Sequence, residues 1–389
     1  MRVLITNHAL AMRAGTELYS RDLAQALRSR GHDVVLFSPV PGAFAHTLRA
    51  EGITVVDRLD ETLATPDVIH GQHHLPAMTA LVRFGTTPAV FVCHGAVPWE
   101  ETPPAHPRIV RYVAVDDPCR ERLEAARLDR PIDVVPNFVD LSRFHLRAPL
   151  PVAPRRALVF SNSTDASWTD GIAAACRARG VTLDIVGAMA GQASDRPEDL
   201  LREYDVVFAK ARSALEALAT GCAVITCDRA GVGAMVTSEN WPELRRLNLG
   251  FRTLTRPHGP AVAGGEIDRY DSLDARRLTD LVRRDASLDT IVDRWVAIYG
   301  EVLTAHRAHP TSLAEEAAAV SRYLTWLGGS PPPGVQARLE IARLGGELSI
   351  ARREMAAVNA TRTWRLRHGL VSLPGIGSFY RRMRGRPSH

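Results

Sequence analysis

Residues 205–228, with the sequence DVVFAKARSALEALATGCAVITCD, constrain the fold of this chain more than any other stretch. Two short apolar runs, at 206–208 and 223–226, are typical of buried strands in a parallel sheet. The residues between them, 213–220, have a helical composition and are followed by Gly221, a common helix stop. Because parallel strands need a crossover connection, the stretch predicts a strand–helix–strand unit.

Two cations, Lys210 and Arg212, stand directly before this helix, and Lys210 is the only lysine in the chain. A helix N-terminus carries unpaired N–H groups and the positive end of the helix dipole. The combination predicts a phosphate-binding site. Ser213 followed by Glu216 has the spacing of a capping box, which predicts that the helix begins at Ser213.

The composition limits the class of protein. The chain has 389 residues, of which 46% are hydrophobic, and this allows two globular domains and a tail. No uninterrupted apolar run approaches a membrane span, and the N-terminal apolar run is too short for a signal peptide, so a cytoplasmic protein is expected. The net charge of +5 is too small to indicate a nucleic-acid partner.

The first part of the chain alternates strands and helices in the manner of a Rossmann-like half. A strand is predicted at 2–6, a helix at 17–30 and a second strand at 32–38. The loop after the first strand contains Gly15 but no G-x-G-x-x-G sequence, so a dinucleotide cofactor is disfavoured. Further strands are predicted at 54–56, 67–70, 89–93, 112–115, 157–161 and 182–186.

Three of these segments resemble family 4 glycosyltransferases, which are retaining enzymes of the GT-B fold. RSALEALATGCAVITCD resembles the segment that holds the donor sugar, and AGTELYSRDLAQALRSRGHDVVLFS resembles the opening of the family. PIDVVPNFVD resembles the segment at the join between the two domains. The resemblance covers about residues 1–305. It implies an α/β protein of GT-B architecture, with two Rossmann-like domains facing a cleft. The sequence beyond the resemblance predicts a helical, basic C-terminal tail.

The resemblance also implies roles for single residues. Gly15 corresponds to a glycine loop over the donor phosphates, and Glu17 to an acidic residue near the acceptor. His94, which follows the strand AVFVC, corresponds to a strand-end histidine near the transferred sugar. Glu216 corresponds to a glutamate that contacts the ribose of the nucleotide. His94 and Glu17 are therefore the expected catalytic residues.

The chain departs from the family's pattern at two places. A second glutamate usually precedes Glu216 by eight residues, where this chain has Phe208. The family also has an arginine and a lysine shortly after the strand at 157–161, where this chain reads NSTDASWTD. Lys210 and Arg212 are expected to neutralise the diphosphate instead.

The remaining donor-site predictions are Ser161 and Asn162, which can donate hydrogen bonds where the missing cations would lie. The complete predicted donor site is Gly15, Ser161, Asn162, Lys210, Arg212, Ser213 and Glu216. Three histidines at 70–74 lack cysteine or acidic neighbours, so no metal site is predicted. Helix N-termini and cations can neutralise a diphosphate without a metal, so a nucleotide-diphosphate sugar is the expected co-substrate, with no further cofactor.

The predicted domain organisation has four parts. Residues 1–147 form an acceptor domain, residues 155–280 a nucleotide-sugar donor domain, and residues 281–330 helices that cross back to the first domain. Residues 334–389 form the helical, basic tail.

Two interactions are expected of this tail. Apolar residues at heptad spacing within 335–358 predict a homo-oligomer contact. The segment 360–389 interleaves seven arginines with aromatic and aliphatic residues and has no acidic residue, so it is expected to dock on an anionic membrane surface at the inner face.

The expected function is the transfer of a sugar, of the hexosyl type and with retention, from a nucleotide-diphosphate donor. The acceptor would be a glycan, a lipid-linked compound or another molecule in surface polysaccharide assembly. Two alternatives remain open: a nucleotide-sugar epimerase of the same fold, and a non-catalytic glycosyltransferase-like binding partner. Release of nucleoside diphosphate only in the presence of acceptor distinguishes the three.

Overall fold

The computed structural model describes residues 1–60, 63–162, 164–187, 189, 194, 196–336, 344, 348, 351, 354 and 355. The chain divides into two compact units, Met1–Tyr323 and Leu324–His389. Both sheets lie in the first unit. The second unit begins inside the helix Leu313–Gly329.

Seven parallel strands form the first sheet, in the order β3-β2-β1-β4-β5-β6-β7. The order 3-2-1-4-5-6 is that of a Rossmann fold, as the alternating pattern predicts. The central strands β4 and β5 are buried along their whole length, and the sequence of β5, AVFVC, is accordingly a continuous rather than an alternating apolar run. The strands are β1 Arg2–Thr6, β2 Asp33–Phe37, β3 Thr54–Val56, β4 Val68–Gln72, β5 Ala89–Cys93, β6 Ile109–Ala114 and β7 Ile132–Val134.

Five strands form the second sheet, in the order β12-β11-β10-β8-β9. Four are parallel, and β12 pairs antiparallel with β11. The glycine-rich sequence of β12 predicts a loop, and this prediction is wrong. A Cβ at Gly233 would lie 2.0 Å from Thr226 Oγ1, so the lack of a side chain there permits β12 to pair closely with β11. The strands are β8 Arg156–Phe160, β9 Thr182–Val186, β10 Val206–Ala209, β11 Ala223–Asp228 and β12 Gly231–Met235.

Helices alternate with the strands of both sheets, and five of them follow the last strand, β12. Their bounds are α1 Gly15–Ser29, α2 Gly42–Ala50, α3 His74–Arg83, α4 Asp117–Ala125, α5 Ala166–Arg177, α6 Pro197–Leu200, α7 Ala211–Thr220, α8 Trp241–Arg246, α9 Pro260–Ile267, α10 Ser272–Asp285, α11 Leu288–Ala308 and α12 Leu313–Gly329. The predicted α/β class, with two Rossmann-like sheets and their helices, is confirmed.

The segment 278–303, whose composition predicts one helix, contains a break between α10 and α11. Val139 donates its N–H to Ala286 O at 2.8 Å and accepts from Leu288 N at 2.9 Å. These bonds to a distant segment replace the helical bonds at the break. Beyond it, α11 packs on the first sheet, where His70 Nδ1 lies 2.8 Å from the Tyr299 hydroxyl.

The two tail predictions concern residues that are largely outside the described part of the chain. The membrane-docking segment, 360–389, lies wholly outside it, and the oligomer segment, 335–358, is described at only seven positions. Among the described helices, none is both long and apolar enough to cross a membrane.

Candidate functional site: two cavities at the sheet switch points

The strand order creates a switch point in each sheet. In the first sheet the order reverses between β1 and β4, and in the second between β8 and β10. Ligands of open α/β sheets bind beyond the carboxyl ends of the strands at such points. Each switch point has a cavity lined by residues that follow these strands.

The cavity at the second sheet is here named the arginine cavity, after Arg13, Arg143 and Arg212, which line it. Six of the seven predicted donor-binding residues also line it, and Lys210 is the exception. The described lining residues are Arg13, Ala14, Gly15, Leu18, Arg143, Phe160, Ser161, Asn162, Gly187, Ser194, Pro197, Arg212, Ser213 and Glu216.

Two helices begin at the arginine cavity. Gly15 is the first residue of α1, and Arg212 and Ser213 lie in the first turn of α7. Their N-termini contribute unpaired N–H groups and positive dipole ends beside the arginines. This arrangement favours an anionic ligand such as a phosphate.

The predicted capping box of α7 is wrong. The helix begins at Ala211, with Lys210 as its N-cap, and no side chain caps it. Ala211 has φ 49°, and its N–H donates to Leu249 O at 2.8 Å. Glu216 instead accepts from Arg212 Nε at 2.7 Å. Tertiary contacts, rather than a local cap, therefore fix the start of α7.

Arg212 lies at the centre of a buried network of ion pairs. The network connects α1, which follows a strand of the first sheet, with α7, which follows a strand of the second. One Nη pairs with Asp22 on α1, a residue that is 0% exposed, while Nε pairs with Glu216 on α7. Asp22 also lies 3.7 Å from Arg143, which pairs with Glu198 at 2.9 Å. Burial acts to lower the pKa of Arg212, but the two carboxylates outweigh it and raise that pKa, so Arg212 is a permanent cation.

Lys210 lies beside the arginine cavity. Its Nζ pairs with Asp228, which also accepts from the Ser161 hydroxyl at 3.0 Å. Burial acts to raise the pKa of Asp228, but the Lys210 bond opposes it and the pKa lies below its ordinary value. The direct role of Lys210 at a phosphate stays a prediction.

Two glycines shape the arginine cavity in different ways. A Cβ at Gly187 would lie 1.7 Å from Ser161 O, so only glycine fits the close approach of these two segments. A Cβ at Gly15 would meet nothing within 4 Å among the described atoms. Packing therefore does not require a glycine at position 15. A ligand that approaches the backbone there would require one.

Phe208, which stands where the family has a second glutamate, lies in β10 and is fully buried in the core with Val159 and Ile225. It is not among the described residues that line either cavity. An ionised carboxylate at this position would be buried without compensation.

The cavity at the first sheet is here named the glutamate cavity, after Glu17, Glu100 and Glu101. It brings together both predicted catalytic residues, Glu17 and His94. Its described lining residues are Asn7, His8, Ala9, Thr16, Glu17, His73, His94, Gly95, Pro98, Glu100 and Glu101. Thr16 and Glu17 continue the segment whose residues 13–15 line the arginine cavity, so the two cavities lie side by side at the start of α1.

A chain of hydrogen bonds orients the residues at the strand ends. His8 N donates to His73 Nδ1 at 3.0 Å, so the neutral ring of His73 carries its hydrogen on Nε2. That Nε2 lies 3.5 Å from Glu101 Oε1, and Glu101 Oε2 accepts from His94 N at 2.9 Å. Glu101 thus holds the backbone of His94 in place. The Nε2 of His94 is buried and has no hydrogen-bond partner among the described atoms.

Burial shifts the proton equilibria of this cavity. It lowers the pKa of His94 well below the ordinary range, with further contributions from His73 and His70, so the imidazole is neutral at pH 7. It lowers the pKa of His73 to about 3 and raises the pKa of Glu101 to about 8. Burial also raises the pKa of Glu17.

Substitution of Glu101 by glutamine is expected to flatten the pH dependence of stability. Between its ordinary value of 4.5 and about 8, Glu101 binds its proton more tightly in the folded state. The free energy of unfolding therefore falls as pH rises through this window, at up to roughly 1 kcal/mol per pH unit. Urea midpoints of wild type, Glu101→Gln and the control Glu100→Gln near pH 5 and pH 8 measure the slope. A slope that Glu101→Gln leaves unchanged would refute the assignment.

Sequence reasoning did not identify several residues of the site. Arg13 and Arg143 lie in loops without a motif, and Glu101 follows the strand-end His94 by seven residues. A partial signal for Arg143 was its position just after the PNFVD segment. Among the described residues, which include the histidines at 70–74, no group of three or more His, Cys, Asp or Glu is arranged to hold a metal ion.

Comparison with known proteins gives one family match and several structural matches. Residues 13–143 match the family described as Glycosyltransferase Family 4. No curated protein matches the sequence. A glycosyltransferase from Rickettsia africae ESF-5 has a TM-score of 0.53 at 15% identity, covering 78% of this chain and 98% of that one. Anabaena Alr3699/HepE in complex with UDP has a TM-score of 0.57 at 15% identity, covering 77% and 100%. Its complex with UDP-glucose has a TM-score of 0.55 at 16% identity, covering 78% and 100%.

At these identities the solved structures establish the architecture, while the family match rests on the first sheet and its helices. The chain has the GT-B fold, and its resemblance to family 4 glycosyltransferases is confirmed over residues 13–143, which contain the opening segment and PIDVVPNFVD.

Proposed function

We propose that this protein is a glycosyltransferase that moves a sugar from a nucleotide-diphosphate donor to an acceptor. The donor diphosphate would lie in the arginine cavity and the acceptor in the glutamate cavity. The observation that carries the proposal is that the two cavities lie side by side at residues 13–17. A sugar held at that junction would contact both a phosphate site and a neutral histidine.

The chemistry follows from the charges around the junction. As the glycosidic bond breaks, negative charge develops on the diphosphate. Arg143, Arg212 and the two helix N-termini are already in place to stabilise it. The unpartnered Nε2 of His94 can exchange a hydrogen bond with a sugar hydroxyl, and Glu17 lies on the acceptor side.

The finer features of the proposal rest on the resemblance of the motifs. They are a hexosyl group, retention at the anomeric carbon, no required metal, contact of Glu216 with the ribose, and a glycan or lipid-linked acceptor in surface polysaccharide assembly. UDP is the first nucleotide to test, because the Anabaena structure of similar fold contains it.

Gly15→Val provides the test. The added side chain would enter open space at the cavity and not the core, so we expect normal stability but loss of nucleoside diphosphate binding. Gly85→Val is the matched control, because Gly85 is also exposed with open space around its Cβ and lies far from the donor motif. The readout is the rise in melting temperature with UDP and other nucleoside diphosphates.

A second readout distinguishes the alternatives. A transferase releases nucleoside diphosphate from the sugar donor when acceptor is added. An epimerase converts the donor without acceptor, and a non-catalytic relative binds it unchanged. No stabilisation of wild type by any nucleoside diphosphate would contradict the proposed function.

A further inference from the structure

The two cavities have opposite charge. Among the described residues, the arginine cavity is lined by three arginines and one glutamate. The glutamate cavity is lined by three glutamates, with no lysine or arginine among its described lining residues. Two of its three histidines, His73 and His94, do not compensate for this, because burial lowers the pKa of each and keeps the ring neutral.

One cation, Arg122, is hydrogen-bonded to two residues of the cavity wall. It donates to Gly95 O at 3.0 Å and to Pro98 O at 2.8 Å, and it is not among the described lining residues. Its charge acts to lower the pKa of Glu101, but burial outweighs it and raises that pKa to about 8, so Glu101 keeps its proton at pH 7. Glu17 and Glu100 have no arginine or lysine beside them among the described lining residues.

From this charge separation we propose that the glutamate cavity takes an acceptor that carries an ammonium group, such as an amino sugar or an aminocyclitol. This inference rests on the proposed function, because it assigns the acceptor of the same reaction. An ammonium group can donate to Glu17 and Glu100 while a ring hydroxyl meets the unpartnered Nε2 of His94.

The same charges exclude the opposite class. A phosphate or carboxylate on the acceptor would be placed beside Glu17 and Glu100 and would be repelled at close range. It would also be drawn to the arginine cavity, where it would compete with the donor diphosphate. An acceptor phosphorylated next to its reacting hydroxyl is therefore a poor substrate.

Three cyclitols of one ring size test the proposal: 2-deoxystreptamine, neutral myo-inositol and anionic myo-inositol 1-phosphate. Each is titrated into the full chain at neutral pH and low salt, with binding followed by NMR. Charged hydrogen bonds contribute enough for an expected preference of about tenfold for the amine over the neutral ring. The phosphate should bind more weakly than either.

Two variants locate the effect. Glu100→Gln and Glu17→Gln should each reduce the amine preference by about threefold or more, since each removes one carboxylate charge. Glu124→Gln is the control, because Glu124 is exposed on α4 outside the cavity and should leave the preference unchanged. Equal binding of amine and neutral rings, no binding of the amine, or a preference unaffected by both variants would overturn the inference.

The same samples separate this inference from the proposed function. Nucleoside diphosphates are titrated in parallel. Diphosphate binding without the cyclitol preference overturns only the acceptor assignment. If no nucleoside diphosphate binds, the proposed function fails and the acceptor assignment, which depends on it, fails with it.

Discussion

Replacement of Asp22 by asparagine is expected to lower the free energy of unfolding by roughly 3 kcal/mol. Asp22 is completely buried and pairs with Arg212 on α7, and it lies 3.5 Å from Arg21 and 3.7 Å from Arg143. Asparagine has nearly the same shape but removes the charge that compensates these guanidinium groups. The cost is large because a desolvated cation loses its partner and cannot recover solvation by water.

Asp289→Asn is the matched control for this experiment. Asp289 pairs with Arg30 at 3.3 Å, near the end of the same helix α1, but its side chain is 85% exposed. An exposed pair contributes less than about 1 kcal/mol. Urea denaturation of wild type and the two variants gives the comparison through the midpoints. Equal midpoints for Asp22→Asn and Asp289→Asn would show that the buried network does not stabilise the fold.

The sequence was most informative where local pattern and tertiary structure agree. The segments predicted as strands at 2–6, 54–56, 89–93 and 182–186 coincide with strands. Of these, 89–93 is a continuous apolar run because β5 is buried along its whole length, whereas β9 lies at a sheet edge and includes Asp184. The sequence predicts the start of α1 two residues too late. Alternating strands and helices predict parallel crossovers, which restrict the possible strand orders.

The start of α7 shows where local pattern fails. Ser213 and Glu216 have capping-box spacing, yet Glu216 pairs with Arg212, whose other partner, Asp22, is 190 residues away in sequence. A buried ion network of that span has no local signature. The break after α10 has the same origin, because its backbone bonds go to Val139.

Only part of the candidate site could be predicted from the sequence, for a related reason. Residues in motifs, such as Gly15, Glu216 and His94, line the two cavities, and their roles at a ligand stay predictions. Arg143 and Glu101 could not be predicted, since their position depends on which loops the two sheets bring together. The charge of each cavity is likewise a property of the folded chain, because its residues come from several separate loops.

Arg143→Gln is expected to weaken UDP binding by roughly 10- to 100-fold while leaving uridine binding nearly unchanged. Arg143 lines the arginine cavity, with its side chain 20% exposed, and pairs with Glu198 at 2.9 Å. A guanidinium group can bind two phosphate oxygens at once, and glutamine removes both that geometry and the charge. The nucleoside lacks phosphates, so its affinity reports on the rest of the cavity. Calorimetric titration of UDP and uridine measures the difference.

Three further substitutions determine which cations hold the diphosphate. Arg212→Gln should also weaken UDP binding, but it leaves Asp22 and Glu216 without a shared cation, so its stability must be measured in parallel. Lys210→Gln tests the predicted phosphate role of Lys210, which pairs with Asp228. We expect it to weaken UDP binding less than Arg143→Gln does, because Lys210 is not among the described residues that line the arginine cavity. Arg252→Gln is the control, since Arg252 pairs with Glu121 away from both cavities. Equal losses of UDP and uridine affinity in Arg143→Gln would indicate a general disturbance of the cavity and would contradict a phosphate role for Arg143.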